Sequence, residues 1–177
     1  MKDFAELMRT VHATAVDHGW WEKPPSTETI ICLIHTEISE AFEEYRKWGL
    51  DPKRFIYYSN NHERGTEYIR DEHNSKPEGI AVELADVCIR LMDWCEAEGE
   101  AIEWPIGMCP AKSFEGNLLT LTGECLELRE SGPEFSVEVL MIIIGMAEDF
   151  DIPIEQAIRE KIAYNETRPY KHGGKGC

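Results

Sequence analysis

The chain has no apolar run long enough to cross a bilayer. Its longest uninterrupted run of apolar residues, Val139 to Ile144, is far shorter than the ~20 residues that a membrane helix needs. The N-terminal residues also lack the charged and apolar pattern of a signal peptide. We therefore expect a cytoplasmic protein that has no membrane partner.

Paired cysteine motifs are missing as well. The six cysteines include no CxxC pair and no zinc-finger spacing. Four of them fall inside helical patterns, where a thiol behaves as a small apolar side chain. We expect reduced, mostly buried thiols rather than a disulfide framework or a zinc site.

Positive charge is scarce. Eighteen Lys and Arg residues face 34 Asp and Glu residues, and the net charge is −16 over 177 residues. This balance argues against a general nucleic-acid surface, and the length fits a single domain. A site for an anionic ligand would have to collect its positive charge locally.

Two helical stretches are present that each carry two acids three residues apart. Three-residue spacing places both acids of a pair on one helical face. Each pair adjoins an apolar stripe with the three-to-four spacing of a buried face. The stretches are Ile30 to Trp48, with Glu37 and Glu40, and Gly79 to Gly99, with Glu83 and Asp86.

If the two stripes pack together, four carboxylates converge at the edge of a helical core. Like charges this close cannot all stay ionised unless a positive charge lies between them. All-oxygen ligands suit Mg²⁺ or Mn²⁺, and protein-bound Mg²⁺ commonly completes its coordination with water and substrate phosphates. The pattern therefore predicts a metal site that handles a phosphate compound.

Three segments carry a family resemblance, and the first two of them include the acid pairs. HTEISEAFEEYRKW, KPEGIAVELADVCIRLMD and IPIEQAIREKIAYNETRPYKHGGK together resemble the MazG-like branch of the all-α nucleoside triphosphate pyrophosphohydrolases. That group also contains the phosphoribosyl-ATP pyrophosphohydrolases and the dimeric dUTPases. The resemblance implies an all-α fold with a four-helix-bundle core, and hydrolysis of a (d)NTP to (d)NMP and pyrophosphate with two or three Mg²⁺ ions.

The resemblance also implies roles for individual residues. Glu37, Glu40, Glu83 and Asp86 are expected to bind metal, with Glu40 as the proton acceptor and Glu37 as the other catalytic candidate. The expected substrate-binding residues are His35, Trp21, Lys161, Asn165, Arg168, Tyr170 and Lys175. His35 is at least as well explained as a structural histidine. For the tryptophan pair that includes Trp21, packing of the first helix on the core is the favoured interpretation.

The single domain, residues 1–177, has a predicted internal organisation. Residues 26–99 form the active half with an insert at 49–77, and residues 113–165 form a degenerate second half. Residues 166–177 form a basic tail. In the second half Glu124 and Glu127 align with Glu37 and Glu40, but Met141 aligns with Asp86. One competent site per chain is expected, between added N- and C-terminal helices.

The substrate and the rival classes stay open at this level. The base can be that of a purine deoxynucleotide such as dGTP or dATP, of dUTP or dCTP, or of a noncanonical nucleotide removed by a house-cleaning enzyme. A di-iron carboxylate bundle would need ExxH motifs, and the chain has none. A non-catalytic nucleotide-binding module is the rival from another class. A homodimer is the expected assembly, and the insert is either a substrate lid or an oligomer contact.

Overall fold

The computed structural model describes residues 3–59 and 76–171, and within these ranges the chain is mostly helical, which confirms the all-α prediction. Six α-helices, two three-residue 3-10 helices (Pro52–Arg54 and Pro133–Phe135) and one short antiparallel ribbon account for the regular structure there. The helices are α1 (Phe4–Asp17), α2 (Thr27–Trp48), α3 (Ile80–Glu98), α4 (Phe114–Ser131), α5 (Ser136–Asp149) and α6 (Ile154–Glu166). The strands are β1 (Tyr57–Ser59) and β2 (Lys76–Glu78).

Helix α3 lies at the centre of the packing. It contacts α1, α2, α5 and α6, while α4 packs against α2 and α5. This position explains why α3 buries side chains on nearly every side, from Ile80 to Cys95. Most side chains on α3 therefore meet either the core or a cleft between helices, while Glu98 at its C-terminal end is exposed.

Helix α2 begins after a serine cap and ends at a glycine. Ser26 is the N-cap residue, and its hydroxyl oxygen accepts a hydrogen bond from the Thr29 N–H at 3.2 Å. This bond satisfies one of the free N–H groups of the first turn. Gly49 ends the helix. The acid pair of α2 is thus held two to three turns inside a helix with a defined start.

The apolar α5 closes the far side of the core. The connection between α3 and α4 lies against it, with the Met108 N–H donating to the Met141 carbonyl oxygen at 2.8 Å. Within the ranges given above, none of the helices combines the length and the apolar character that crossing a membrane requires.

The ends of the predicted insert form the ribbon, with Tyr57 opposite Glu78. The ribbon is attached to two helices, because the Tyr57 hydroxyl donates to Glu44 of α2 at 2.7 Å and the Tyr58 hydroxyl donates to Glu160 of α6. Residues 60–75 lie outside the described residues, and so does the lid or oligomer contact predicted for this insert.

Gly79 connects the ribbon to α3 in a conformation that favours glycine. Its φ is 112°, a value that L side chains rarely adopt. An added Cβ would lie 2.5 Å from the Arg54 carbonyl oxygen and 2.7 Å from that of Phe55. The start of α3 therefore depends on glycine at this position.

We predict that Gly79→Ala lowers the free energy of unfolding by about 2 kcal/mol or more, because it adds both backbone strain and a backbone clash. Gly123→Ala is the matched control, since no atom lies within 4 Å of its added Cβ in α4. The control should gain about 0.5–1 kcal/mol from helix propensity. Chemical denaturation measures both changes, and equal stability of the two variants would contradict this account of the turn.

Candidate functional site

Three carboxylates meet where α2 packs against α3. One oxygen each from Glu37, Glu83 and Asp86 lies within 4.8 Å of the others. Glu37 is 6% exposed and Glu83 is 2% exposed, so two of the three groups have lost most of their water. The three-residue spacing on α3 places Glu83 and Asp86 on one face, and the packing of α2 brings Glu37 to them.

Two basic side chains compensate this charge. The Arg90 guanidinium donates to Glu37 Oε1, with an Nε to Oε1 distance of 2.9 Å. Lys161 Nζ of α6 lies 2.5 Å from Asp86 Oδ2, and Lys161 is 4% exposed. A buried ammonium group needs such a partner. The positive charge that the acid cluster requires is therefore supplied, in part, by the chain itself.

Burial dominates the ionisation of the cluster. Desolvation, followed by repulsion from Asp86, raises the pKa of Glu83 from 4.5 to about 8. The same two causes raise the pKa of Glu37, although Arg90 opposes the rise. Both groups thus hold protons more tightly than an exposed glutamate does, and an added positive charge would favour their ionised forms.

The cluster fits a divalent cation. Ligand oxygens on opposite sides of an octahedral Mg²⁺ lie about 4.2 Å apart, so the observed limit of 4.8 Å requires only a small adjustment of side chains. Three carboxylate oxygens also leave coordination positions for water and phosphate, as is usual for Mg²⁺. The arrangement can hold a metal ion whose identity the ligands alone do not determine.

The cluster opens into a cleft of about 400 Å³, a size within the range of small-molecule sites. Most of the predicted site residues line this one cleft, although they come from four different parts of the chain. These residues are Trp21, Glu37, Glu40, Glu83, Asp86, Lys161, Asn165 and Arg168. Asn165 also has a buried Oδ1 atom that lacks a hydrogen-bond partner among the described residues.

Glu40 lies in the cleft without belonging to the group of three. It is exposed, and it is near enough to raise the pKa values of Glu37 and Glu83 by repulsion. The expectation of four converging carboxylates is therefore met by three, with the fourth at the rim. That position suits a proton acceptor as well as it suits a ligand.

Two other predicted substrate residues do not line the cleft. His35 lies off the stripe of α2 that faces it, and burial lowers the pKa of this histidine. Tyr170 is 54% exposed and hydrogen-bonds to Glu22. The geometry gives neither residue a contact with a ligand in the cleft. Lys175, like the rest of the tail from residue 172 on, lies outside the described residues.

Trp21 packs the segment after α1 on the core and also lines the cleft. Its Nε1 donates to Asp93 Oδ1 at 2.9 Å, and its ring lies against His12 with centroids 5.2 Å apart. These contacts attach the segment after α1 to α3. The same side chain also forms part of the cleft wall, so packing does not exclude contact with a ligand.

Sequence analysis assigned no role to several residues of this cleft. Arg90 and Asp93 extend the series that begins with Glu83 and Asp86 on one face of α3, and this spacing is a signal that could have identified them. Lys76 lines the cleft from β2, and no helical pattern marks it. His18 lies in the turn after α1, where periodicity carries no information.

The second half contains no comparable cluster in the part of the chain that the structure describes. There, Glu37, Glu83 and Asp86 are the one group of three possible ligands close enough to hold a metal. Glu127 is exposed on α4, and Met141 is half-buried. The single competent site and the internal repeat both stay predictions.

Comparisons with protein-family models, with curated proteins and with solved structures found no match to this chain. The family resemblance therefore stays a prediction.

We predict that, without divalent cations, the free energy of unfolding falls as the pH rises from 4.5 to about 8, the ordinary and folded pKa values of Glu83. In this window the unfolded state releases the Glu83 proton while the folded state keeps it, so unfolding becomes more favourable. Glu83→Gln should lack this part of the decline and gain a few kcal/mol relative to the unsubstituted protein at pH 8.

Denaturant titrations at several pH values measure this effect, and Glu127→Gln is the exposed control. Mg²⁺ should stabilise the unsubstituted protein at pH 8 more than it stabilises Glu83→Gln, because it selects the ionised carboxylate. A pH slope that is identical in all three proteins would contradict the assignment of Glu83 as a buried, protonated acid.

Proposed function

We propose that this protein is a metal-dependent nucleoside triphosphate pyrophosphohydrolase of the MazG-like type, with the four-helix-bundle core of that group. The observation that carries the proposal is the position of the carboxylates of Glu37, Glu83 and Asp86, two of them buried, in a cleft that also holds cationic side chains. A divalent cation and a polyphosphate are complementary to these two kinds of group.

The cationic groups support a polyphosphate as the ligand. Lys161, Lys76 and Arg168 line the cleft of an otherwise strongly acidic chain. Arg side chains bind phosphate oxygens in pairs, and Lys side chains supply point charges. Asn165 adds a buried Oδ1 atom that has no hydrogen-bond partner among the described residues. This atom can accept a hydrogen bond from a ligand hydroxyl or from water.

Glu37, Glu83 and Asp86 would hold Mg²⁺ or Mn²⁺, with two or three ions expected from the family resemblance. The metal would neutralise charge on the phosphate oxygens and activate the attacking water. Glu40 would accept the proton of that water from its place at the rim. Water would cleave the bond between the α- and β-phosphates, giving a nucleoside monophosphate and pyrophosphate. Lys161 and Arg168 would hold the leaving pyrophosphate.

The proposed substrate is a (d)NTP, with purine deoxynucleotides such as dGTP or dATP first and with dUTP, dCTP or noncanonical nucleotides as alternatives. We also propose a homodimer. We propose further that the insert either closes over the substrate or contacts the second subunit. Residues 60–75 of the insert lie beyond the described ranges.

A non-catalytic nucleotide-binding module is the second candidate. The ion pairs of Glu37 with Arg90 and of Asp86 with Lys161 favour it, since they already neutralise part of the cluster. Such a module would retain a triphosphate in the cleft without cleaving it. Measuring pyrophosphate release and nucleotide binding on one sample distinguishes the two candidates.

We predict that Glu40→Gln and Asp86→Asn each lower kcat/KM for pyrophosphate release by at least about 100-fold, because each removes charge from the reacting centre. The assay is pyrophosphate release from the common and deaminated (d)NTPs with Mg²⁺ and with Mn²⁺. Glu40 is exposed, so the Gln variant should fold normally.

Glu127→Gln is the matched control for this experiment. Glu127 is the residue of the second half that aligns with Glu40, and it is exposed outside the cleft. Its substitution should leave turnover unchanged. Full activity of folded Glu40→Gln would remove the proton-acceptor role, and nucleotide binding without pyrophosphate release by the unsubstituted protein would favour the binding module.

A further inference from the structure

The carboxylate of Asp93 lies in the same cleft as the acid cluster, two turns further along α3. Asp93 follows Asp86 by seven residues on α3, which corresponds to two turns and to about 10 Å along the helix axis. Both residues line the same cleft. A nucleoside is about as long as this separation, so a nucleotide with its phosphates near Asp86 would bring its base toward Asp93.

The hydrogen bonds of Asp93 leave one oxygen for a ligand. Oδ1 accepts from Trp21 Nε1 at 2.9 Å and lies 2.7 Å from His12 Nδ1. Among the described residues, no donor is bonded to Oδ2. The side chain is 22% exposed, so Oδ1 is held in place by two contacts and the carboxylate is partly accessible from the cleft.

Flat side chains also line the cleft, namely Trp20, Trp21, Trp94 and His18. Trp21 is in direct contact with Asp93. Aromatic faces stack on nucleobases and tolerate any base, because every base presents a π-face. Stacking therefore supplies affinity without discrimination, and discrimination must come from a polar group.

We infer that Asp93 reads the base of the bound nucleotide and selects guanine through its Oδ2 atom. The inference rests on the proposed function for the location of the phosphates. It makes Asp93 a specificity-determining residue and names guanine nucleotides as the substrate class.

Guanine follows from the chemistry of the carboxylate. An ionised carboxylate only accepts hydrogen bonds. Guanine presents two adjacent donors, the ring N1–H and the 2-amino group, and both can reach one oxygen. Adenine and cytosine place a ring-nitrogen acceptor beside their amino group, and uracil places its single N–H between two carbonyl oxygens. Each of these three bases would direct an acceptor toward the carboxylate or lose a bond.

The test compares three monophosphates whose bases differ at position 2, and xanthine differs from the other two at N3 as well. GMP carries an amino group there, IMP carries hydrogen and XMP carries oxygen. The unsubstituted protein should bind GMP roughly 10- to 100-fold more tightly than IMP, the effect of one hydrogen bond to a charged group. XMP should bind most weakly, because its oxygen faces Oδ2. Calorimetry measures the three affinities.

Asp93→Asn provides the decisive variant. Its amide oxygen can keep the bonds to Trp21 and His12, while its amino group replaces the Oδ2 acceptor with a donor. The order of affinities should reverse, with XMP above GMP. Glu98→Gln, an exposed change on the same helix, should keep the original order. If Asp93→Asn does not fold, Asp93→Glu should weaken GMP more than IMP, because guanine loses two hydrogen bonds to the carboxylate and hypoxanthine loses one.

Equal affinities of the unsubstituted protein for GMP and IMP would overturn the inference, as would an unchanged preference in the folded Asp93 variant. Pyrophosphate release from GTP is measured in parallel. Release without a base preference refutes only the role of Asp93. A base preference without release refutes only the proposed hydrolysis.

Discussion

The crowding of buried carboxylates between α2 and α3 is the constraint on which the rest of the site depends. Removing Glu37 and Glu83 from water costs free energy that the apolar packing of these helices must offset. Arg90 and Lys161 partly neutralise the charge of these carboxylates, although basic residues are few in this sequence. This cost is expected of a site that binds a metal ion, as we propose for this cluster. Without a bound cation the same buried acids would only destabilise the core.

Helix α3 carries Glu83 and Asp86 of this cluster and also Asp93, which lies two turns beyond Asp86 along the helix. Its acidic face begins at Glu83, beside the cluster, and ends at Asp93, beside the aromatic wall contributed by the segment after α1. The central position of α3 places both on one rigid element, so the distance between the proposed phosphate-binding and base-binding positions does not depend on a loop. Helix α6 then contributes Lys161 and Asn165 to the same cleft.

Much of the fold and part of the site could be predicted from sequence, because helical periodicity states which side chains share a face. The spacing of Glu83 and Asp86 predicted their proximity on one face of α3. Periodicity does not state how far a neighbouring helix is rotated. It therefore could not show that Arg90 would bind Glu37, or that Glu40 would lie at the rim. His35 was assigned by resemblance, and the rotation of α2 directs it away from the cleft.

The most direct test of the central claim is a crystal structure of the protein with Mn²⁺ and a non-hydrolysable nucleoside triphosphate, read by anomalous scattering. The account predicts a manganese peak bounded by Glu37, Glu83 and Asp86, in contact with the triphosphate. Manganese bound elsewhere, with Arg90 and Lys161 still paired to these carboxylates and no metal between them, would contradict it.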